Sequence, residues 1–177
     1  MGADERRKAI YQAIGRLYSR IPGLARAWGR RYSRLVRPQT AESTPFVPLR
    51  RPLRQCRIAL ITTGGVHLRS QPPFDMRDPR GDPTFRAIPS GTPPADLTIT
   101  HDYYDHTDAE RDLNILFPLA LFRELAESGR IGALATCYGF MGHIEPPHVE
   151  TLVRATAPQV AGMLAAERVD AALLTPA

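Results

Sequence analysis

The residues best equipped for chemistry fall in three short segments: Thr62-Thr63-Gly64-Gly65-Val66-His67, His101-Asp102-Tyr103-Tyr104-Asp105-His106-Thr107-Asp108, and Tyr138-Gly139-Phe140-Met141-Gly142-His143. In the first, glycine lets bare backbone N–H groups approach an anion or carboxylate closely, which makes Thr63, Gly64 and Gly65 candidate substrate-binding positions. The segment is neither GxGxxG nor a P-loop, so a tight strand-to-loop turn is the competing reading. The second segment crowds many titratable groups into one turn, costly unless they are exposed or used. Proton transfer or substrate polarisation by His67, His101 or His106, with Asp105 orienting, is one use. Metal ligation by His101, Asp105 or His106, with His67 or His143 arriving from other strand ends, is a second. A helix cap at Asp105 or Asp108, with the histidines on its rim, is the third. In the third segment two glycines again suggest a close backbone approach, placing Tyr138 and His143 beside a substrate, although such a stretch also serves as a packing loop. The loop after His67 offers Arg69, Asp75, Arg77, Asp78, Arg80, Asp82 and Arg86; solvated surface charge is the default for such a set, and a bidentate clamp on a substrate carboxylate by an arginine of the loop, assigned to Arg69, is the functional alternative.

The elements that position these residues alternate between strand and helix. Residues 57–66 and 169–175 are apolar runs of the kind found in buried parallel strands, and residues 96–100 and 131–138 supply two more. A helical pattern over residues 108–129 carries Leu113, Leu116, Leu119, Phe122 and Leu125, with Pro118 predicted to break or kink it. Another over residues 148–168 carries Leu152, Val153, Val160, Met163 and Leu164, with a kink expected at Pro158. Residues 68–94 hold seven prolines and many charges, which predicts a long ordered loop without regular structure. The pattern is that of an α/β domain, a doubly wound, mostly parallel sheet of about four strands, over residues 57–177. Ligands of such sheets sit outside the carboxyl ends of the strands, where the three segments fall.

Ahead of this domain, residues 1–38 form a basic, amphipathic helical extension, with Ile10, Ile14, Leu17, Tyr18 and Ile21 on one stripe and Leu24, Trp28, Tyr32 and Leu35 on the next. Residues 39–56 are a Pro- and Arg-rich linker. Up to Arg57 there are 14 basic and 3 acidic residues, and beyond it 9 basic and 15 acidic, for a net of +5. A basic extension on an acidic body is suited to wrapping an acidic surface of its own or of a partner subunit, with nucleic acid or anionic lipid as the other candidates. No apolar run is long enough to span a membrane and the start lacks a secretory leader, so a cytoplasmic location is expected. Cys56 and Cys137 lie far apart without a CxxC, which predicts neither a disulfide framework nor a zinc ribbon.

From about Thr44 onward the chain resembles selenoprotein B of the reductases that cleave glycine, sarcosine, betaine or D-proline. The resemblance is carried by Val47-Pro48-Leu49-Arg50, Leu60-Ile61-Thr62-Thr63-Gly64-Gly65-Val66-His67-Leu68, Gln71-Pro72-Pro73-Phe74-Asp75, Gly81-Asp82-Pro83-Thr84-Phe85-Arg86, Thr100-His101-Asp102-Tyr103-Tyr104-Asp105 and Asn114-Ile115-Leu116-Phe117-Pro118-Leu119. It implies reductive cleavage of a C–N bond in a small-molecule substrate, in which a selenolate or thiolate attacks the carbon next to nitrogen. Electrons would come from a thioredoxin-type dithiol, and partner subunits in a homo- or hetero-oligomer are implied as well. In that family the redox residue, selenocysteine or cysteine, follows the strand resembled by Val169-Asp170-Ala171-Ala172-Leu173-Leu174-Thr175-Pro176. No cofactor is expected within these residues; the selenocysteine is expected beyond residue 177, after an in-frame UGA, and the 177 residues alone are expected to be inactive. The other reading of the same residues is a metal- or small-molecule-binding α/β protein that uses the clustered histidines.

Overall fold

In the computed structural model, strand β1 (Arg57–Thr62) holds Ile58, Ala59, Leu60 and Thr62 out of water. A strand without alternation of polar and apolar residues must be covered on both faces, and β1 is. On one edge it pairs in parallel with β5 (Ala133–Leu134) and then β6 (Cys137–Phe140); on the other it pairs in parallel with β7 (Ala171–Thr175). Strand β3 (Phe85–Ile88) adds antiparallel to the outer edge of β6. The structure describes residues 47–176 together with Arg6, Ala9, Ile10, Ala13, Gly23, Arg26, Ala27 and Arg30, which are helical and exposed. The basic extension and linker read from the sequence otherwise lie outside the described residues. The chain divides into two units, Met1–Leu49 with Tyr103–Asp105, and Arg50–Asp102 with His106–Ala177. Among the described residues, every strand belongs to the second unit.

Two helical layers sandwich the sheet. Helix α2 (Leu119–Glu127) packs Phe122, Leu125 and Ala126 against Cys56, Ile58, Ile131 and Ala171. Helices α3 (His148–Thr151) and α4 (Ala157–Ala166) cover the opposite face, where Leu152, Val160 and Leu164 meet Ile61, Phe85, Ala87, Tyr138 and Phe140. Edge-on packing of Phe85 against Tyr138, 5.8 Å between ring centres, fixes the β3 edge. This is the α/β architecture expected from the alternating pattern.

Several details differ from the sequence reading. The apolar run starting at Arg57 is two strands: β1 ends at Thr62, and Val66–Leu68 forms β2, which pairs antiparallel with β4 (Leu97–Ile99) as a separate ribbon. Residues 96–100 therefore do not join the main sheet. The proline-rich segment contains β3, which needs partners on one side only and so tolerates Pro89 at its end. Pro118 breaks its helical pattern outright: α1 (Thr107–Arg111) and a short 3-10 turn precede it, and α2 starts right after it. Residues 148–166 are helical without a break and Pro158 lies inside them; the irregularity expected from this proline lies just upstream of it, as a π-helical turn at Leu152–Thr156 between α3 and α4.

The register between β1 and its neighbour slips by one residue, from Ile58 opposite Leu134 to Ile61 opposite Tyr138. One extra residue is a β-bulge, and the displaced backbone donors find other acceptors. The Leu60 N–H donates to the Cys137 thiol at 3.3 Å, and the Thr136 N–H to the Glu167 carboxylate at 3.1 Å. Both cysteines are buried and unpaired, and burial pushes the Cys137 thiol up to about 11, so it serves the fold as a neutral acceptor rather than as a nucleophile. Cys137→Ala is expected to leave the buried Leu60 donor without a partner and to lower stability by about 1–3 kcal/mol. Cys137→Ser, which keeps an acceptor, should cost less; equal urea midpoints for wild type and Cys137→Ala would contradict this account.

Candidate functional site

Three chain segments converge where β1, β6 and β7 end. After Thr62 the chain turns at Gly65, whose φ of 71° is the left-handed conformation that favours glycine. A Cβ there would lie 2.4 Å from the Thr100 carbonyl, so the close crossing of the two segments requires glycine. The Gly65 N–H donates to the Phe140 carbonyl at 2.9 Å and the Gly65 carbonyl accepts from Thr100 N–H at 2.9 Å, tying the ends of β6 and β4 together. On the far side, the Thr175 carbonyl at the end of β7 accepts from Thr63 N–H at 3.1 Å and from the Thr62 hydroxyl at 3.3 Å.

His101 sits at the centre of this rim, only 4% exposed. Its Nε2 accepts the Gly142 N–H at 3.2 Å, so in the neutral ring the proton is on Nδ1. Burial drives its pKa down to about 4, helped by the nearby His143 and His106 and opposed by Asp102. At neutral pH His101 is uncharged, suited to hydrogen bonding and polarisation rather than to donating a proton. Gly142 lies in the same crevice: a methyl group on it would come 3.1 Å from the Thr63 carbonyl and 3.5 Å from His101 Nε2. Thr63, Gly64, Gly65, His101 and Gly142 are thus brought together, and His143 follows directly.

The remaining predicted residues occupy other surroundings. His67 is buried with both ring nitrogens engaged: Nδ1 donates to the Leu68 carbonyl at 2.7 Å and Nε2 accepts from the Thr100 hydroxyl at 2.8 Å. Burial lowers its pKa, and it braces the residue next to His101. His143 places Nε2 3.0 Å from the Pro79 carbonyl. His106 precedes α1, with Nδ1 2.9 Å from Glu110 Oε1 one turn on. Tyr138 points into the core beneath α4, where burial raises its phenol pKa, instead of toward the strand ends. Arg69 lies opposite Asp96 at the far end of the β2–β4 ribbon and gives its Nε–H to the Ala95 carbonyl. Asp96 and His101 flank β4 at its two ends, so Arg69 and His101 belong to opposite ends of the ribbon. Asp105 belongs to the unit that includes the N-terminal segment. Among the described residues no three His, Cys, Asp or Glu side chains are grouped to hold a metal ion.

Sequence reasoning treated Asp82 and Arg86 as surface charge, whereas both are built into the loop. Asp82 accepts from Asp75 N–H at 2.9 Å, from Thr84 N–H at 2.8 Å and from the Thr84 hydroxyl. Burial alone would raise its carboxyl, but these bonds and the Arg86 charge more than offset it and hold it below the ordinary carboxylate range. Arg86 donates to the Pro72, Pro73 and Phe85 carbonyls and stacks 4.5 Å from the centre of Phe74. The recognisable signal was Gly81-Asp82-Pro83-Thr84, an aspartate two residues before a threonine in a turn.

The depressed pKa of His101 makes stability depend on pH. Its folded value lies below the unfolded 6.5, so its contribution is complete above pH 6.5 and is lost as pH falls toward 4, about 3 kcal/mol in all. His101→Gln keeps an acceptor for Gly142 and cannot titrate. Urea unfolding of the two proteins between pH 7 and 4 should show a flatter profile for His101→Gln; parallel profiles would show that His101 is not the buried neutral group described.

In comparison with curated proteins, the chain is similar to D-proline reductase subunit gamma of Acetoanaerobium sticklandii, with 36% identity over 131 residues. The match covers 73% of this chain and 52% of that protein, so the chain spans about half the length of this relative. No family model matches the chain, and no solved structure does. Across nearly three quarters of its residues the chain shares enough identity that it belongs to the proline/glycine reductase family.

Proposed function

We propose that this chain is the substrate-binding part of a reductase subunit of the selenoprotein B type, acting on a C–N bond of a small amino acid or amine-like molecule. The observation that carries the reading is the pair of bonds from Thr62 and Thr63 to the Thr175 carbonyl. They fix the end of β7 beside the rim that holds His101 and Gly142, so residues following β7 emerge at that rim. A redox residue there, selenocysteine or cysteine, would supply the nucleophile: its anion bonds to the carbon as the C–N electron pair leaves with nitrogen, which takes up a proton; a thiolate of an external dithiol then attacks the selenium or sulfur, the carbon leaves with that bonding pair and is protonated, and the second thiol closes the dithiol to a disulfide and frees the nucleophile. This chain's residues then have positioning work. His101, uncharged at neutral pH, polarises the bound molecule, and the glycine backbone at Gly64, Gly65 and Gly142 lets it approach the strand ends. His67 holds Thr100, and with it the turn bearing His101. Arg69 lies at the other end of the ribbon, so its hold on a carboxylate would require a substrate extending along it.

The nearly half of the relative that lies outside the match is room for the redox segment. Reading the gene past codon 177 tests the proposal: an in-frame UGA followed by a cysteine-containing segment is expected. The 177 residues alone should turn over none of D-proline, glycine or betaine with dithiothreitol. The longer product, carrying cysteine at the UGA position, should reduce one of them, and His101→Gln should lower its kcat/KM roughly tenfold or more. Turnover by the 177 residues alone, or a longer product indifferent to His101→Gln, would refute the assignment.

A further inference from the structure

Strand β7 has the sequence of an interior strand in an edge position. Its run Ala171-Ala172-Leu173-Leu174 carries no charge and no alternation, yet Leu173 is 41% and Leu174 68% exposed. Ile61 and Leu174 are register partners on the α4 face, so Leu173 projects to the opposite face; neither face of β7 is covered at this end. Thr175 directs its carbonyl toward β1, and by alternation Ala172 and Leu174 present their N–H and C=O groups to the outer side. Among the described residues no strand pairs with that side. Folded proteins protect such edges with charge, proline or a covering element, and β7 has no charge or proline of its own.

The same corner carries an apolar groove of about 330 Å³ between the sheet and the α3–α4 layer. Ile61, Leu152, Val160, Leu164 and Leu174 line it, as does Val153, itself 63% exposed. An edge without a partner strand among the described residues, two exposed leucines and an adjoining apolar groove together form a surface suited to a further strand with an apolar helix or loop attached.

We infer that this corner is the docking seam for the polypeptide encoded after Ala177, which adds a strand to the free edge of β7 and seats apolar side chains in the groove. The inference rests on the reading of the chain as part of a longer reductase subunit. A continuing chain leaves β7 beside the edge it would cover, and the relative has nearly half its length outside the match, ample for a strand and a helix. Its chemistry is set by the seam: alternating main-chain donors and acceptors along the edge, and aliphatic side chains toward Leu174 and Val153.

Hydrogen exchange on the 177-residue chain and on the longer product of the same gene, with cysteine encoded at any in-frame UGA, tests this. The Ala172 and Leu174 amides should exchange at least tenfold more slowly in the longer product. Leu174→Lys, at a position too exposed to be needed for folding, should remove that protection, whereas Leu121→Lys, on a residue of α2 that is 47% exposed, should not. Equal exchange in the two proteins, a gene without a downstream frame, or an edge already protected in a dimer of the 177-residue chain would overturn the proposal. Protection without turnover of any amine substrate would leave the seam standing and sink the reductase reading; turnover with β7 unprotected would do the reverse.

Discussion

Everything at the rim depends on β1 satisfying its backbone on both edges in parallel register. Parallel pairing aligns strand ends of the same polarity, so once Ile58 lies beside Leu134 on one side and Ala171 on the other, the ends of β6 and β7 are bound to arrive beside Thr62 and Thr63. The one-residue bulge then decides which side chains arrive. Tyr138 sits opposite Ile61 and shares its face, packing beneath α4. Without the extra residue Tyr138 would stand opposite Thr62 and turn to the other side, taking the aromatic packing of Phe85 and Phe140 with it. The bulge is held by a thiol and a carboxylate, not by a ladder carbonyl, which links the core chemistry of Cys137 and Glu167 to the geometry of a site they do not touch.

Histidine shows how far sequence can go. That His101 and the glycines Gly64, Gly65 and Gly142 would lie just past strand ends could be read from the order of apolar runs. Which histidine does what did not follow, because it is set by single contacts. His67 is consumed by Leu68 and Thr100, His143 lies against Pro79, and His101 accepts one backbone N–H while buried without charge. Likewise Tyr138 read as a site residue because it closes the apolar run over residues 131–138; β6 runs on to Phe140, and the bulge that determines the direction of Tyr138 has no sequence signature. The separate β2–β4 ribbon was hidden for the same kind of reason. Its cause is the left-handed turn at Gly65, one residue long, inside what reads as a continuous apolar run.

The proline-rich segment is ordered by a different principle. Proline contributes a carbonyl but no N–H, so a run such as Gln71-Pro72-Pro73 has acceptors and few donors of its own. Arg86 supplies what is missing, giving guanidinium N–H groups to the Pro72 and Pro73 carbonyls while lying over Phe74. Asp82 does the converse, collecting the N–H groups of Asp75 and Thr84. A segment with no period is thus stitched by one cation and one anion at fixed places. It also forms the wall against which His143 and His148 rest, through the Pro79 carbonyl and the Asp78 carboxylate.

These supports differ in strength around the rim. The β6 side is backed by β3, by buried aromatic rings and by the stitched loop. The β7 side is held by one ladder to β1 and by the Thr175 carbonyl, on a strand with exposed leucines on both faces. Edge strands with little cover open locally at lower cost than interior ones. The position of any group carried just beyond Thr175 relative to His101 is therefore set by the weakest wall of the site, since an opening of β7 by one residue would also release the bonds to Thr62 and Thr63. A reactive group must stay within a few tenths of an ångström of its partners to be useful. Covering the β7 edge thus bears on geometry as much as on stability, because β7, whose outer edge has no partner strand among the described residues, is the strand whose end meets Thr63 beside Gly142 and His101.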